Sequence, residues 1–449
     1  MYSLIFASLF LPAQQPAALK YRYLQVRNKI LWRLLGKDLL CIRWQSLFCI
    51  SIIICVFASL YHRVYFFLPS FIFPPMNNYL TYSILGKILA LDIIPTHRNQ
   101  IIRELEKDDI SWERFVAMAD HHLVLQALYP KIRDHNLEEY FPEELLEHLE
   151  YIFDLATTRN IEIIKQVERL THVLLKEGII PLYMKGVGNI LDSLYKYHGE
   201  RILHDIDILV SEDTFEEAAE VLIRDGYQSN FEYDPLKKTL IKHYPFLFKH
   251  GEPVYVELHR MPVGSRYEKF FNTGMAFAFA KHPVDGPDYF VMSDEHKIIH
   301  NFMHAQVDHR ARIYAREFMR NLYDMLLLSG RKDIEDVMAD FGHFKRTSSG
   351  YQDITYLTFG IIPAQRKIPG LFLHSYRFRY YLNLRYRFVG VASLFLIRVF
   401  LGYIVKPLQA STDRELRRKI ISQLHSPEWY KKQGRYYGKV FGIGGKKKN

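Results

Sequence analysis

The period of the apolar residues changes at Gly178, and this change limits the folds that are open to the chain. Before Gly178, apolar residues recur every three to four positions between Ile161 and Leu174, as on one face of a helix. After it come three short apolar segments of strand length, 179–184, 204–210 and 254–259, with helical segments between them. Alternating strands and helices predict a compact α+β or α/β unit with a small sheet.

Turn and capping residues predict where these elements end. Gly178 is expected to stop the preceding helix, and the stretch 185–188 (KGVG) is expected to form a turn after the first strand. Helical character resumes at residues 189–197. Asp213, with Glu216 three residues later, predicts a capping box at the start of a helix that runs to Gly226.

Composition divides the chain into five segments. We predict an apolar, basic N-terminal extension (1–75), a helical domain (76–160), an α/β core (161–275), a second helical domain (276–350) and a basic, aromatic C-terminal region (351–449). The expected fold is therefore a small mixed sheet with helices, placed between helical N- and C-terminal regions.

Charge is distributed unevenly over the chain. Residues 76–350 hold 32 Lys and Arg against 44 Asp and Glu, whereas residues 351–449 hold 19 against 4. A protein that grips long nucleic acid needs basic residues to neutralise phosphates, so the acidic centre argues against such a substrate. The basic C-terminal region is also aromatic, which favours peripheral contact with an anionic membrane, although a buried amphipathic helix pair explains its apolar content equally well.

The N-terminal extension has one apolar run, Leu47–Tyr61, after seven basic residues. The run is shorter than the roughly 20 residues that span a bilayer. An interfacial anchor, a true span, or a segment upstream of a natural start at Met76 all remain open. All three cysteines lie in this extension, so no thiol is available for chemistry elsewhere, and a cytoplasmic setting is expected.

Acidic residues on two predicted strands suggest a metal site. Asp205 and Asp207 are two residues apart, so their side chains project from the same face of one strand. Glu257 and His259 share a face of a later strand in the same way. If the strands are neighbours, three carboxylates converge and can hold two magnesium ions, or manganese. His259 is expected either to support this site, by orienting Glu257 or contacting phosphate, or to be a structural histidine.

Phosphate ligands need donors as well as metal ions. Gly186 and Gly188 lie between a strand and a helix, where backbone N–H groups favour anions, and Lys185 and Arg201 add positive charge. Taken singly, each of these features is more often a plain turn or a surface pair. Their order along the chain is what predicts a nucleotide-binding site.

With these motifs in place, the chain resembles a known family. The segments MKG (184–186), LY (194–195), GxR (199–201), DIDILV (205–210), GY (226–227) and VELH (256–259) are similar to those of the uncharacterised nucleotidyltransferase family, within the DNA polymerase β-like superfamily. The resemblance covers roughly residues 90–330. It implies transfer of a nucleoside monophosphate from a nucleoside triphosphate, such as ATP, to an acceptor.

The resemblance also implies residue roles. Asp205 and Asp207 become metal ligands, Glu257 becomes the third acid and Gly186 lies in the nucleotide-binding turn. Two positions depart from the wider pattern. Val187 intervenes before Gly188, and the third acid is often Asp rather than Glu. The acceptor, expected to be small or medium in size, and the oligomeric state are not implied.

Other interpretations remain open at this point. His296, His300 and His304 recur every four residues and suggest either zinc or, as we favour, packing or hydrogen-bonding roles. Asp324 is expected to pair with Arg320 on one helix face. A degenerate protein that binds nucleotide as a membrane-proximal regulator or scaffold is the rival to an enzyme. A toxin-like nucleotidylation of a protein or transfer RNA is a third option, which the acidic centre disfavours where RNA is concerned.

Overall fold

A computed structural model describes the parts of the chain that carry the predicted core. These are residues 78–107, 109–229, 233, 241–282, 289–309, 311–314, 317–339, 341–361, 378–380, 395–412, 414–431 and 434. The apolar run Leu47–Tyr61 and most of the aromatic segment 371–405 lie outside them, so the membrane hypotheses stay predictions. Across the described residues, no helix is both long enough and apolar enough to cross a bilayer.

The chain divides into two compact units. One comprises residues 74–397 and contains every predicted site residue. The other includes residues 398–449, where the described part is helical, with a π-helical turn at Leu401–Val405, a helix at Lys406–Thr412 and another at Arg414–Leu424. The five predicted segments remain a prediction.

Five α-helices precede the sheet among the described residues of the larger unit. They are α1 (Asn78–Leu89), α2 (His97–Leu105), α3 (Trp112–His121), α4 (Leu125–Asp134) and α5 (Glu143–Lys176). Helix α5 buries Ile163, Val167, Leu170 and Leu174, while Ile161, which we placed on the apolar face, is 42% exposed. The helix ends as predicted, because Gly178 adopts a φ of 74°, which glycine reaches without the steric cost of a side chain.

The sheet has six strands in the described residues, in the order β3–β4–β5–β2–β1–β6. The strands are β1 (Leu182–Tyr183), β2 (Asp205–Leu209), β3 (Gln228–Ser229), β4 (Leu247–Phe248), β5 (Tyr255–His259) and β6 (Phe290–Val291). Strands β2 and β5 run parallel at the centre, and β1 pairs antiparallel with β2. The three predicted strands are confirmed as β1, β2 and β5, and the sheet is mixed, as expected.

Short helices connect the strands and follow the sheet. They are α6 (Lys185–Leu191), α7 (Phe215–Arg224), α8 (Thr273–Ala278), α9 (Asp294–Phe302), α10 (Ala311–Tyr314), α11 (Met319–Ser329), α12 (Ile334–Ala339) and α13 (Lys345–Thr358). Helix α9 continues into a π-helical turn at Met303–Asp308. Helical regions therefore flank a small mixed sheet, which confirms the predicted fold class.

Two local predictions were wrong. The stretch from Lys185 to Gly188 is the first turn of α6 rather than a separate turn. The capping box is absent, because α7 begins after Thr214, whose side chain makes no cap bond, and the Ser211 hydroxyl accepts from the Thr214 backbone N–H instead. The Ser211 interaction positions the loop before α7 and removes the need for Asp213 and Glu216 as caps.

Glu317 fixes the π-helical turn against the start of α11. Its carboxyl group is buried and accepts hydrogen bonds from Gln306 Nε2 and Asn321 Nδ2, both at 2.9 Å. Burial raises the pKa of Glu317 to about 7, although these hydrogen bonds lower it. The protonation of one buried acid therefore affects the segment that carries His304.

We predict that Glu317 makes the fold less stable as pH rises. The folded state keeps its proton up to about pH 7, whereas the unfolded state releases it near 4.5, so stability falls across that window. Glu317→Gln, which is uncharged throughout, should reduce this loss by on the order of 1–3 kcal/mol. Urea unfolding at about pH 5 and about pH 7.5 measures the difference.

Glu335→Gln, at an exposed position on α12, is the matched control and should keep the native pH dependence. An identical pH slope for the native protein and Glu317→Gln would contradict this account.

Candidate active site

The central pair of parallel strands places the predicted acids side by side. In the β2–β5 ladder Asp207 is the register partner of Glu257, and Leu209 is the partner of His259. The residues between them, such as Ile206 and Leu258, are fully buried on the opposite face of the sheet. Because alternate residues of a strand share a face, burying the aliphatic face turns the acids toward the other side.

The acids lie on the wall of a cleft of about 350 Å³. This volume is within the range of sites that enclose small molecules. Every residue predicted to bind nucleotide or metal lines this cleft: Lys185, Gly186, Gly188, Arg201, Asp205, Asp207, Glu257 and His259. The structure thus gathers the whole predicted set around one space.

His259 bridges two of the acids. Its Nε2 lies 2.8 Å from Asp207 Oδ1 and 3.1 Å from Glu257 Oε2. Carboxylate oxygens accept hydrogen bonds, so Nε2 is the nitrogen that carries the proton and donates. The imidazole is buried and its Nδ1 has no hydrogen-bond partner among the described residues. This arrangement suits the supporting role predicted for His259, since it orients both carboxylates.

Lys185 supplies the counter-charge of the acidic cluster. Its ammonium group is paired with Asp207 and lies 3.5 Å from Glu257 Oε2. Burial alone would lower the pKa of Lys185, but the two carboxylates raise it to about 12. The residue adopts a φ of 52°, a strained value for a side chain with a Cβ. The strained backbone at the start of α6 therefore directs a fixed positive charge at the acids.

Asp207 and Asp205 experience opposite electrostatic surroundings. Burial would raise the pKa of Asp207, but the Lys185 charge and the His259 hydrogen bond hold it well below its usual range. Burial and the neighbouring Asp207 charge instead raise the pKa of Asp205 to about 6. Asp205 forms no ion pair in the described part of the chain, so a carboxylate at the cleft is left without direct compensation.

The donor set fits a divalent cation that prefers oxygen. Three potential ligand atoms, one each from Asp207, Glu257 and His259, lie within 4.8 Å of one another. Asp205 lines the same cleft but does not belong to that group. Carboxylate oxygens are the ligands that magnesium and manganese prefer. The uncompensated charge of Asp205 gives a second reason for a cation to bind here.

The two glycines of the predicted nucleotide site are required by close contacts. A Cβ on Gly188 would lie 2.4 Å from the carbonyl oxygen of Tyr183, and one on Gly186 would lie 2.7 Å from the Leu203 side chain. Only glycine lets α6 approach the end of β1 this closely. The glycines therefore bring Lys185 and the start of α6 against the acidic cluster.

Arg201 is held by an acid that we did not expect. Its Nε lies 3.1 Å and its Nη2 3.2 Å from the Asp324 carboxylate, and Tyr195 Oη donates to the same carboxylate at 2.6 Å. The predicted pairing of Asp324 with Arg320 was wrong, because Asp324 turns toward Arg201 across the cleft wall. This buried pair ties the segment before β2 to α11.

The histidine repeat separates into different environments. His296 packs against Phe271 and Phe279, His300 Nε2 donates to the Pro262 carbonyl at 2.9 Å, and His304 lies 3.1 Å from His309. In the described residues the three do not form a metal-binding group. The favoured interpretation, packing or hydrogen bonding, is supported for His296 and His300, and both His300 and His304 line the cleft.

Sequence reasoning missed several cleft residues. Lys242, His309 and Arg320 also line the cleft, and the sequence near Lys242 carried no feature that would have indicated it. His304 and Arg320 had been noticed, but for other reasons. Their contribution depends on how α9, its π-helical turn and α11 fold back over the sheet, and local sequence patterns do not report such packing.

We predict that the Arg201–Asp324 pair is important for stability. Asp324→Asn leaves a buried guanidinium without its counter-charge, which should cost about 3–5 kcal/mol. Urea unfolding measures the loss, and Asp336→Asn, at an exposed position on α12, is the matched control. If Asp324→Asn changed the free energy of unfolding by less than about 0.5 kcal/mol, the pair would not be important for stability.

Comparison with known proteins identifies the family. The model of a family described as "Uncharacterised nucleotidyltransferase" matches residues 108–341, slightly more than half of the chain and the whole of the sheet and cleft. No curated protein matches the chain. With the mixed sheet, the acidic cleft and this match in agreement, the chain belongs to the uncharacterised nucleotidyltransferase family.

Proposed function

We propose that the protein is a metal-dependent nucleotidyltransferase that moves a nucleoside monophosphate from a nucleoside triphosphate to a small or medium acceptor. One observation carries the proposal. Asp207 and Glu257 are in register on neighbouring parallel strands, with Asp205 two residues away on the same cleft. Three carboxylates on one cleft repel one another, and the Lys185 ammonium pairs with only two of them, so the charge of Asp205 favours a bound cation. The family match supports nucleotidyl transfer as the class of reaction.

Asp205, Asp207 and Glu257 are the proposed ligands of two magnesium ions, with manganese as a substitute. Bound metal ions would neutralise triphosphate charge and make the acceptor hydroxyl a better nucleophile. His259 donates to Asp207 and Glu257 and so keeps both carboxylates oriented. Lys185 moderates the repulsion among the acids, and Gly186 and Gly188 allow α6 to approach the nucleotide.

The proposed reaction is a single displacement at phosphorus. The acceptor oxygen forms a bond to the α-phosphorus of the triphosphate, and the bond from that phosphorus to the β-phosphate bridging oxygen breaks. Pyrophosphate leaves with the electron pair of the broken bond, and the hydroxyl proton of the acceptor passes to the solvent. The residues of the chain contribute by positioning and by charge, as expected for phosphoryl transfer.

The acceptor is proposed to be something other than long nucleic acid. The central segment 76–350 has twelve more acidic than basic residues, and such a body repels a polyanion. A nucleoside triphosphate, of which ATP is the simplest candidate, places the reaction in the cytoplasm. Arg201 is proposed to act indirectly, because Asp324 already takes up its charge.

The Lys185 ion pairs favour a second candidate function. An ammonium group among the acids is a permanent counter-charge, and it stabilises the cluster without any metal ion. A protein that binds a nucleotide but no longer transfers it would retain such a pair. A regulator or scaffold of this kind is distinguished from the enzyme by binding without turnover.

We predict that nucleotidyl transfer depends on Asp205 and Asp207. The protein is incubated with each labelled triphosphate, magnesium and a metabolite extract. The label transferred to acceptor molecules of the extract is then measured. The double variant Asp205→Asn with Asp207→Asn keeps the shape of both side chains but loses both charges, so the rate should fall about 10³-fold. Omission of magnesium should reduce transfer in the same way.

Asp213→Asn, at an exposed position after β2, is the matched control and should transfer label at the native rate. Transfer that survives the loss of both aspartates would refute the mechanism. Nucleotide binding with no transfer by the native protein in any arm would instead favour the second candidate.

A further inference from the structure

The basic side chains of the cleft differ in whether they form an ion pair with a carboxylate. Most of its basic side chains have a carboxylate partner in the structure: Lys185 with Asp207, Lys242 with Asp308, Lys297 with Asp192 and Arg201 with Asp324. Arg320 lines the same cleft, but within the described residues its guanidinium forms no ion pair. Its Nε is buried and has no hydrogen-bond partner there. Arg320 is thus a cation oriented toward the cleft without an anion.

Such a charge is energetically unfavourable where it stands. Burial, and then repulsion by the Arg201 charge, lower the pKa of Arg320 to about 10. Guanidinium groups placed away from water without a counter-charge destabilise the fold. Asp324, and after it Asp205, attract Arg320 at longer range, yet among the described residues neither forms an ion pair with it. An anion that entered the cleft would remove this penalty.

Two histidines add hydrogen-bonding groups beside Arg320. His304 lies on the π-helical turn, and its Nε2 is 3.1 Å from Nε2 of His309. Burial, followed by the charge of Lys185, lowers the pKa of both imidazoles, so they are neutral near pH 7. One Nε2–H then donates to the other Nε2, which leaves the pair one further N–H donor, on the accepting ring. His304, His309, Arg320 and Asp205 all line the same cleft, and Arg320 acts electrostatically on His309 and on Asp205.

We propose that Arg320, with the His304–His309 pair, forms a phosphate-binding subsite next to the acidic cluster. The subsite deepens the proposed nucleotidyltransferase function and rests on it. A guanidinium presents several N–H donors in a fixed plane and binds phosphate oxygens in pairs. The subsite takes either the β- and γ-phosphates of the donor nucleotide or a phosphate carried by the acceptor.

Two other basic residues of the cleft are less suited than Arg320 to bind phosphate. Lys185 and Arg201, which the sequence suggested as nucleotide contacts, are neutralised by Asp207 and Asp324. Binding phosphate through them would break pairs that are already formed. Arg320 has no such pair to lose, so its full charge is available to a ligand.

Binding of pyrophosphate in metal-free buffer tests the subsite. Isothermal titration calorimetry compares the native protein with Arg320→Gln, Arg320→Lys and the control Arg169→Gln. Arg169 forms an ion pair with Glu252. We expect Arg320→Gln to weaken binding about 10–100-fold, as for a lost hydrogen bond to a charged group. Arg320→Lys should retain part of the affinity, and Arg169→Gln all of it.

The urea midpoint of each variant is measured in parallel. Removing a partly buried charge that has no ion-pair partner should leave the midpoint of Arg320→Gln unchanged or raise it. A marked fall for both Arg320 variants would mean that Arg320 is a structural residue, and it would overturn the proposal. Equal pyrophosphate affinity for the native protein and Arg320→Gln would overturn it as well.

Two further arms identify the source of the phosphate. If pyrophosphate competes with a nucleoside triphosphate and Arg320→Gln weakens both, the subsite holds the donor's phosphates. If both bind together and only pyrophosphate depends on Arg320, the subsite serves the acceptor. Either result supports the subsite. The double aspartate variant should still bind pyrophosphate without metal. Absence of transfer by the native protein, with Arg320-dependent binding of pyrophosphate retained, would reject the proposed function alone.

Discussion

The parallel pairing of β2 with β5 is the constraint on which the rest of the site depends. It places Asp207 beside Glu257 and His259 one alternate position further along. A shift of one residue in either strand would turn these acids into the aliphatic core and bring isoleucine or valine to the cleft. The register is therefore held by burial of the opposite face, and the chemistry of the site follows from the packing of the core.

The acids are kept together by His259 on β5 and by a lysine from outside the strands. Lys185 reaches Asp207 from a strained position at the start of α6, and His259 holds Asp207 and Glu257 through one nitrogen. Farther out, Arg201 is anchored to Asp324 on α11. A buried charge without a partner is costly, so each pair fixes one helix relative to the sheet. The helical regions thus position the cleft as well as enclose it.

Sequence patterns predicted the elements whose residue types follow from local burial or from local backbone conformation. The alternation in DIDIL and VYVELH identified β2 and β5, and Gly178 marked the end of α5 because a positive φ favours glycine. The same patterns predicted that Asp205, Asp207 and Glu257 share one cleft. The strands β3, β4 and β6 were missed, since two residues are too few to establish a period.

The remaining errors concern partners that are distant in sequence. Asp324 was expected to pair with Arg320, four residues earlier, but it binds Arg201, which only the tertiary fold brings near. The stretch after β1 was predicted as a turn from its glycines, whereas those glycines serve the close packing of α6 on Tyr183. In the same way, the cluster of Arg320 with His304 and His309 becomes visible only after α9 and α11 are placed.

Manganese binding to the acidic cluster tests the central claim most directly. Electron paramagnetic resonance can follow Mn²⁺ uptake by the native protein, Asp207→Asn, Glu257→Gln and the surface control Asp213→Asn. The account predicts that the native protein and Asp213→Asn bind alike, and that each change in the cluster weakens binding about tenfold or more. Native affinity retained in both Asp207→Asn and Glu257→Gln would contradict it, because the two strands would then not share a cation.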